Sequence, residues 1–167
     1  MTGVVLVTVG WVLWVNGFAG LQSSDSKGLG IVNYFGGALL IIINAIALYR
    51  GETVGDFLGA AVGFMVALTY LWMGLSSSFK LDGKPFGWFC AFTGIAMVLM
   101  VFQQAPTLGG TWVAVMWASW AILWFAIWAS ASLGKNVGKF ITWTCVVTAF
   151  YTGLIPGLMY LVGQFPA

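Results

Sequence analysis

Residues 111–132 read TWVAVMWASWAILWFAIWASAS, with no Asp, Glu, Lys or Arg among them. A helix of about 20 apolar residues crosses the ~30 Å hydrocarbon core of a bilayer, and this stretch is long enough. Strict alternation of polar and apolar residues is missing. An open sheet edge could not satisfy its backbone in lipid, which argues against a strand. The stretch therefore reads as one transmembrane helix, and the rest of the chain repeats its character.

The chain is 61% hydrophobic and 6% charged. All six basic residues (Lys27, Arg50, Lys80, Lys84, Lys135, Lys139) and the acids Asp25, Glu52 and Asp82 fall in short polar gaps; Asp56 lies just past one. A lone charge at the bilayer centre costs ~2.5–3.5 kcal/mol on the insertion scale, which explains their exclusion from the apolar runs. The spans predicted between the gaps are roughly 3–21, 31–49, 54–75, 86–102, 111–132 and 140–162. Six spans and short loops use up the 167 residues. The expectation is an all-α membrane protein of one domain, residues 1–167, with hairpins roughly 1–50, 51–104 and 105–167. Met1–Leu21 lacks a basic leader and reads as a retained first helix. A net charge of +2 gives no reason to expect a nucleic-acid partner.

Loop charges predict orientation. The first, third and fifth loops hold Lys27, Lys80, Lys84, Lys135 and Lys139, against Arg50 alone in the second and none in the fourth. The positive-inside rule then places the odd loops in the cytoplasm and both termini outside. Ser24, Ser78 and Ser132 recur at 54 residues, as do Phe35, Phe89 and Trp143, which suggests three hairpins repeated about an axis along the membrane normal, the alternative being coincidence among common residues. Gly3, Gly10 and Gly17, and the pairs Gly59/Gly63 and Gly153/Gly157, supply small faces for close helix packing. Pro156 should bend the last helix.

Catalysis is poorly equipped. There is no histidine, no carboxylate lies at mid-depth in a span, and the cysteines, Cys90 and Cys145, sit apart in apolar runs. No catalytic residue, metal ligand or cofactor is expected. Ion coupling usually needs an intramembrane ionisable residue, so passive permeation is the mechanism left. Trp117, Trp120, Trp124 and Trp128 are spaced 3, 4 and 4 and fall within an arc of roughly 80°. Packing bulk and pore lining both account for such a face. Trp120 and Trp124 lie too deep for interfacial anchoring, which favours lining. Thr2, Leu6, Val9, Leu13 and Asn16 share one face of the first helix, and Thr144, Thr148, Tyr151 and Thr152 make a polar stripe on the last. Threonine hydroxyls often bond their own backbone, so structure is an alternative role for each. Together these surfaces suit a narrow slot with hydroxyl, amide and indole N–H groups, fit for a small planar neutral solute.

These residues resemble the bacterial urea/amide channel family, which joins acid-activated urea channels of gastric bacteria to short-chain amide transporters. The matching positions are Val9-Gly10, Val12-Leu13, Asn16-Gly17 and Gly20-Leu21, then Thr69-Tyr70-Leu71, Phe79, Leu81-Asp82, Pro85 and Trp88. Trp117, Trp120 and Leu123-Trp124 follow, and finally Gly138-Lys139-Phe140, Trp143 and Ile155-Pro156. The resemblance implies six helices with a channel through each protomer of a hexamer whose centre holds membrane lipid. It implies pore-lining roles for Leu6, Val9, Leu13, Tyr70, Trp117, Trp120 and Trp124. Where the gastric channel has a pore phenylalanine and a pore glutamate, Val66 and Thr148 stand here. Its long histidine-bearing loop is replaced by Arg50–Thr53. The expectation is a passive, non-proton-gated channel for urea and short-chain aliphatic amides in a bacterial inner membrane, linked in function to a cytoplasmic urease or amidase. Asn16 and Thr148 are its expected polar stations. Its rivals are a proton-coupled amide transporter, against which the absent mid-membrane acids argue, and a non-conducting scaffold, against which the indole face argues.

Overall fold

The computed structural model describes residues 1–22 and 26–166. Ser24 of the serine repeat and Asp25 of the first gap lie outside the described residues. The elements are α1 (Thr2–Gln22), α2 (Ser26–Arg50), α3 (Val54–Phe79), α4 (Gly83–Val101), α5 (Leu108–Leu133) and α6 (Gly138–Thr148). A π-helical segment, Ala149–Leu154, and α7 (Ile155–Leu161) continue α6. Among the described residues six helices are long and apolar enough to cross a membrane, the last running from Gly138 to Leu161. Among the described residues there is no strand.

Several helices run a turn past the expected spans. The third span was expected to end near residue 75, yet Ser77 and Ser78 donate to Met73 and Gly74 carbonyls at 2.9 and 3.3 Å and stay helical. Lys80 then ends the helix in the left-handed conformation, at φ 51°. Asp56 is a cap, not a mid-membrane acid. Its carboxylate accepts from the Thr53 N–H and hydroxyl at 3.0 and 2.7 Å, and Thr53 Oγ1 accepts from the Asp56 N–H at 3.2 Å. Thr107 and Asp82 cap α5 and α4 more simply, each side chain accepting one bond, from the Gly110 and Lys84 N–H groups.

Packing closes the helices into a ring, each touching two neighbours, with α6 and its continuation against α1. The close pairs are α2 with α3, α4 with α5 and α6–α7 with α1. Contacts within α1–α2, α3–α4 and α5–α6 are sparser. The three tight units are thus not the hairpins joined by the Ser/Lys turns. The exterior is apolar, with Phe35, Phe92, Trp88 and Trp143 all more than half exposed, as a lipid-facing surface requires.

The last helix changes its winding ahead of Pro156, where a bend was expected. Pro156 lacks an N–H, and the six residues Ala149–Leu154 before it are wound as a π-helix. This segment crosses α1 where glycine faces glycine. A Cβ on Gly153 would strike the Gly10 backbone, and one on Gly10 would lie 3.0 Å from Gly153 Cα.

Candidate functional site

Two cavities enter the ring from opposite ends. The first, about 440 Å³, lies at the end that holds the N-terminus and the short α2–α3 connection. Its walls include Leu6, Val9, Asn44, Gly59, Gly63, Val66, Trp117 and Trp120, with Arg50 and Asp56 towards that end. The second, about 430 Å³, is lined by Leu13, Asn16, Thr69, Tyr70, Phe86, Trp124, Thr142 and Cys145, among others.

What separates them follows from helix geometry. Val9 lines the first cavity and Leu13 the second; Val66 and Tyr70 divide in the same way on α3, and Trp120 and Trp124 on α5. Each pair is spaced four residues, so α1, α3 and α5 cross the partition in parallel with one turn each. Four residues rise about 6 Å, which sets the partition's thickness. All six side chains are at most 5% exposed.

The indoles are held by a common device. Trp120 Nε1 donates to Thr152 Oγ1 at 2.9 Å, and that hydroxyl donates to the Thr148 carbonyl at 2.6 Å. Trp124 Nε1 donates to Thr69 Oγ1 at 3.2 Å, which donates to the Met65 carbonyl at 2.9 Å. A hydroxyl can accept and donate at once, so each threonine serves its own helix and orients a ring from α5. Trp117 stands edge-on to Trp120, with centroids 5.2 Å apart and planes at 90°. The Trp117 Nε1 and Tyr70 hydroxyl are buried with no hydrogen-bond partner among the described residues.

Of the residues the sequence singled out, Leu6, Val9, Val66, Trp117 and Trp120 line the first cavity. Leu13, Asn16, Tyr70 and Trp124 line the second. Thr148, expected as a polar station, lines neither of these two cavities. It is 1% exposed, and its hydroxyl donates to the Thr144 carbonyl at 2.7 Å. Asn16 is also less free than expected, because its amide pairs reciprocally with Asn33 at 3.0 and 3.1 Å. The indole N–H groups of Trp120 and Trp124, expected to meet a solute, are engaged by threonine. Trp128 leaves the indole wall and packs on Trp88 of α4, centroids 5.6 Å apart. Trp11 and Trp14 face outward beside Phe150 and Leu154 on an exterior groove.

Asn44 was missed. It is 3% exposed, and a signal for it stood in the run LLIIINAIAL (39–48), because an amide in an otherwise apolar span calls for a reason. The Trp124–Thr69 contact joins residues 55 apart and had no local signal.

Residues 1–164 match the family described as AmiS/UreI family transporter. The chain is 30% identical to the acid-activated urea channel of Helicobacter pylori, with 97% of this chain and 98% of that one covered. It is 28% identical to AmiS2 of Rhodococcus erythropolis, assigned as a transporter, covering 99% of this chain and 81% of that one. The crystal structure of the H. pylori urea channel superposes with a TM-score of 0.88 at 29% identity over 99% of each chain.

Proposed function

Since the chain belongs to the AmiS/UreI family of transporters, we propose that it is a passive channel for urea and short-chain aliphatic amides, without proton gating. The observation that carries this reading is the partition one helical turn thick between two cavities that approach it from opposite ends. Its walls are Val, Leu, Tyr and Trp, with no carboxylate, lysine or arginine. A hydrated cation would lose its shell there with nothing to replace it. A flat neutral solute fits between rings, and the unpartnered Tyr70 hydroxyl and Trp117 N–H are groups it could meet in transit. The lining roles of Leu6, Val9, Leu13, Asn16, Val66, Tyr70, Trp117, Trp120 and Trp124 belong to this proposal. Asn16 can serve as an acceptor only, because both its N–H groups are used.

The relative in H. pylori is acid-activated. Here there is no histidine, and only Gly51, Glu52 and Thr53 connect α2 to α3. No other side chain has an ordinary titration range between pH 5 and 8, so the gate-free reading follows. The five-to-one distribution of basic loop residues supports cytoplasmic odd loops, with the first cavity opening outward. In this reading the channel sits in a bacterial inner membrane as a homohexamer, each protomer conducting alone, lipid filling the centre, and a cytoplasmic urease or amidase consuming the solute.

The test is stopped-flow light scattering of proteoliposomes under urea and acetamide gradients, with and without a pH gradient. Flux above protein-free vesicles that is indifferent to the proton gradient is the expected result. Uphill uptake driven by protons would make the protein a coupled transporter, and no flux would leave it a scaffold.

A further inference from the structure

Three asparagines sit on the first two helices, and comparing them isolates one. The Nδ2 atoms of Asn16, Asn33 and Asn44 donate to the carbonyls of Val12, Leu29 and Leu40, each four residues back, at 2.8, 2.9 and 2.7 Å. That bond settles which end of each amide is nitrogen. Asn16 and Asn33 then use their remaining groups on each other. Asn16 Nδ2 donates to Asn33 Oδ1 at 3.1 Å, and Asn33 Nδ2 donates to Asn16 Oδ1 at 3.0 Å. The result is a closed amide–amide ring with both edges matched.

Asn44 has the same anchor and no such partner. Among the described residues its Oδ1 accepts no hydrogen bond, and Nδ2 makes only the bond to Leu40. The residue is 3% exposed, and it stands in the wall of the first cavity. Gly63 of α3 keeps room for it, since a Cβ there would collide with the Asn44 amide. An amide with an unused acceptor and a second N–H, set within a span and in the wall of a cavity, is equipped to take a ligand.

We propose that Asn44 is the docking station of the first cavity and pairs with the permeant as Asn33 pairs with Asn16. Its Oδ1 accepts an N–H of the solute while Nδ2 donates to the solute's carbonyl oxygen. This rests on the functional reading above and names the feature selected: a carbonyl oxygen and an N–H on one edge of a small molecule. Urea, formamide and acetamide carry that edge. Dimethyl sulfoxide is of similar size but has an acceptor and no donor, so it can form only half of the pair.

The experiment compares urea, acetamide and dimethyl sulfoxide fluxes, each above the protein-free background, in wild type, Asn44→Leu and Asn44→Ala. Leucine approximates the volume of the amide. Alanine removes the amide while relieving any crowding against Gly63, and size-exclusion profiles report assembly of both. Loss of the two-point pair should lower the ratio of urea to dimethyl sulfoxide flux about tenfold, with acetamide following urea. If both variants keep the wild-type ratio, or lose all three solutes in equal proportion, Asn44 is not a docking station and the channel reading survives. If wild type carries neither urea nor acetamide, the functional reading falls and this inference with it.

Discussion

Two rows of glycine in this molecule do opposite work. Gly3, Gly10 and Gly17 of α1 lie against the last helix, and side chains there would meet it at once. A Cβ on Gly3 would be 2.7 Å from the Gly157 carbonyl oxygen, and one on Gly17 would be 2.9 Å from the Val146 nitrogen. Gly55, Gly59 and Gly63 of α3 face the first cavity. A Cβ on Gly59 would have nothing within 4 Å, and one on Gly55 only Thr53 Oγ1 at 3.6 Å. The first row brings two backbones together; in the second, Gly55 and Gly59 keep volume open, while Gly63 makes room for the Asn44 amide. A GxxxG pair in a membrane helix is therefore ambiguous. Gly153/Gly157 is packing, as expected of such pairs, whereas Gly59 is wall.

The sharpest way to break this contrast is to place bulk in each row. Gly153→Leu drives a side chain into the Gly10 backbone. Overpacking of a close contact costs about 1–3 kcal/mol and often more at a backbone crossing, so assembly should fall sharply in a thermal size-exclusion assay. Gly59→Phe should leave that assay unchanged and reduce urea flux about tenfold by filling the first cavity, while Gly59→Ala should be silent. If Gly59→Phe unfolds the protein and Gly153→Leu does not, the two rows have been exchanged.

The indoles extend the contrast from glycine to its opposite. Trp120→Ala or Trp124→Ala removes a wall of the partition, and solute flux or selectivity should change more than assembly does. Trp11→Ala lies on the exterior groove and should alter lipid contact or folding alone. Silent flux in Trp124→Ala beside abolished flux in a well-folded Trp11→Ala would reverse the assignment.

A smaller effect is expected at Thr69. Thr69→Val preserves shape and strands the Trp124 N–H, at a cost of about 1–3 kcal/mol in stability. Trp124 should then loosen, visible as a shift in tryptophan fluorescence with a modest loss of flux, whereas Thr148→Val should leave that fluorescence unchanged. The smallest expected effect is that of pH. Urea flux should be flat between about pH 5 and 8, for want of a histidine. Tenfold activation at the acid end would show a gate that none of these residues explains.

The six spans were legible because lipid leaves a helix no alternative, and the charges had to lie where the chain leaves the membrane. The walls on α1, α3 and α5 were legible through resemblance and through the Trp spacing, although Trp128 shares that spacing and packs elsewhere. The third span was drawn a turn short of the observed α3, because a serine hydroxyl can bond the carbonyl four residues back and stay in the helix. Thr148 and Thr152 share one stripe, and only the second reaches an indole. Thr152 lies within the π segment that begins after Thr148, and the wider turn shifts its register relative to an α-helix, which no 3.6-residue period contains.

Sequence alone determined that this chain crosses a membrane six times, keeps ionisable groups from mid-depth and carries a row of indoles on one helix. These follow from composition and period, which act locally along the chain. Which glycines touch and which leave space, which amides pair and which one has no amide partner, and where the two cavities stop were decided only in three dimensions. Each depends on what stands opposite, often fifty residues away, and a side chain's role is set by its partner as much as by its own chemistry.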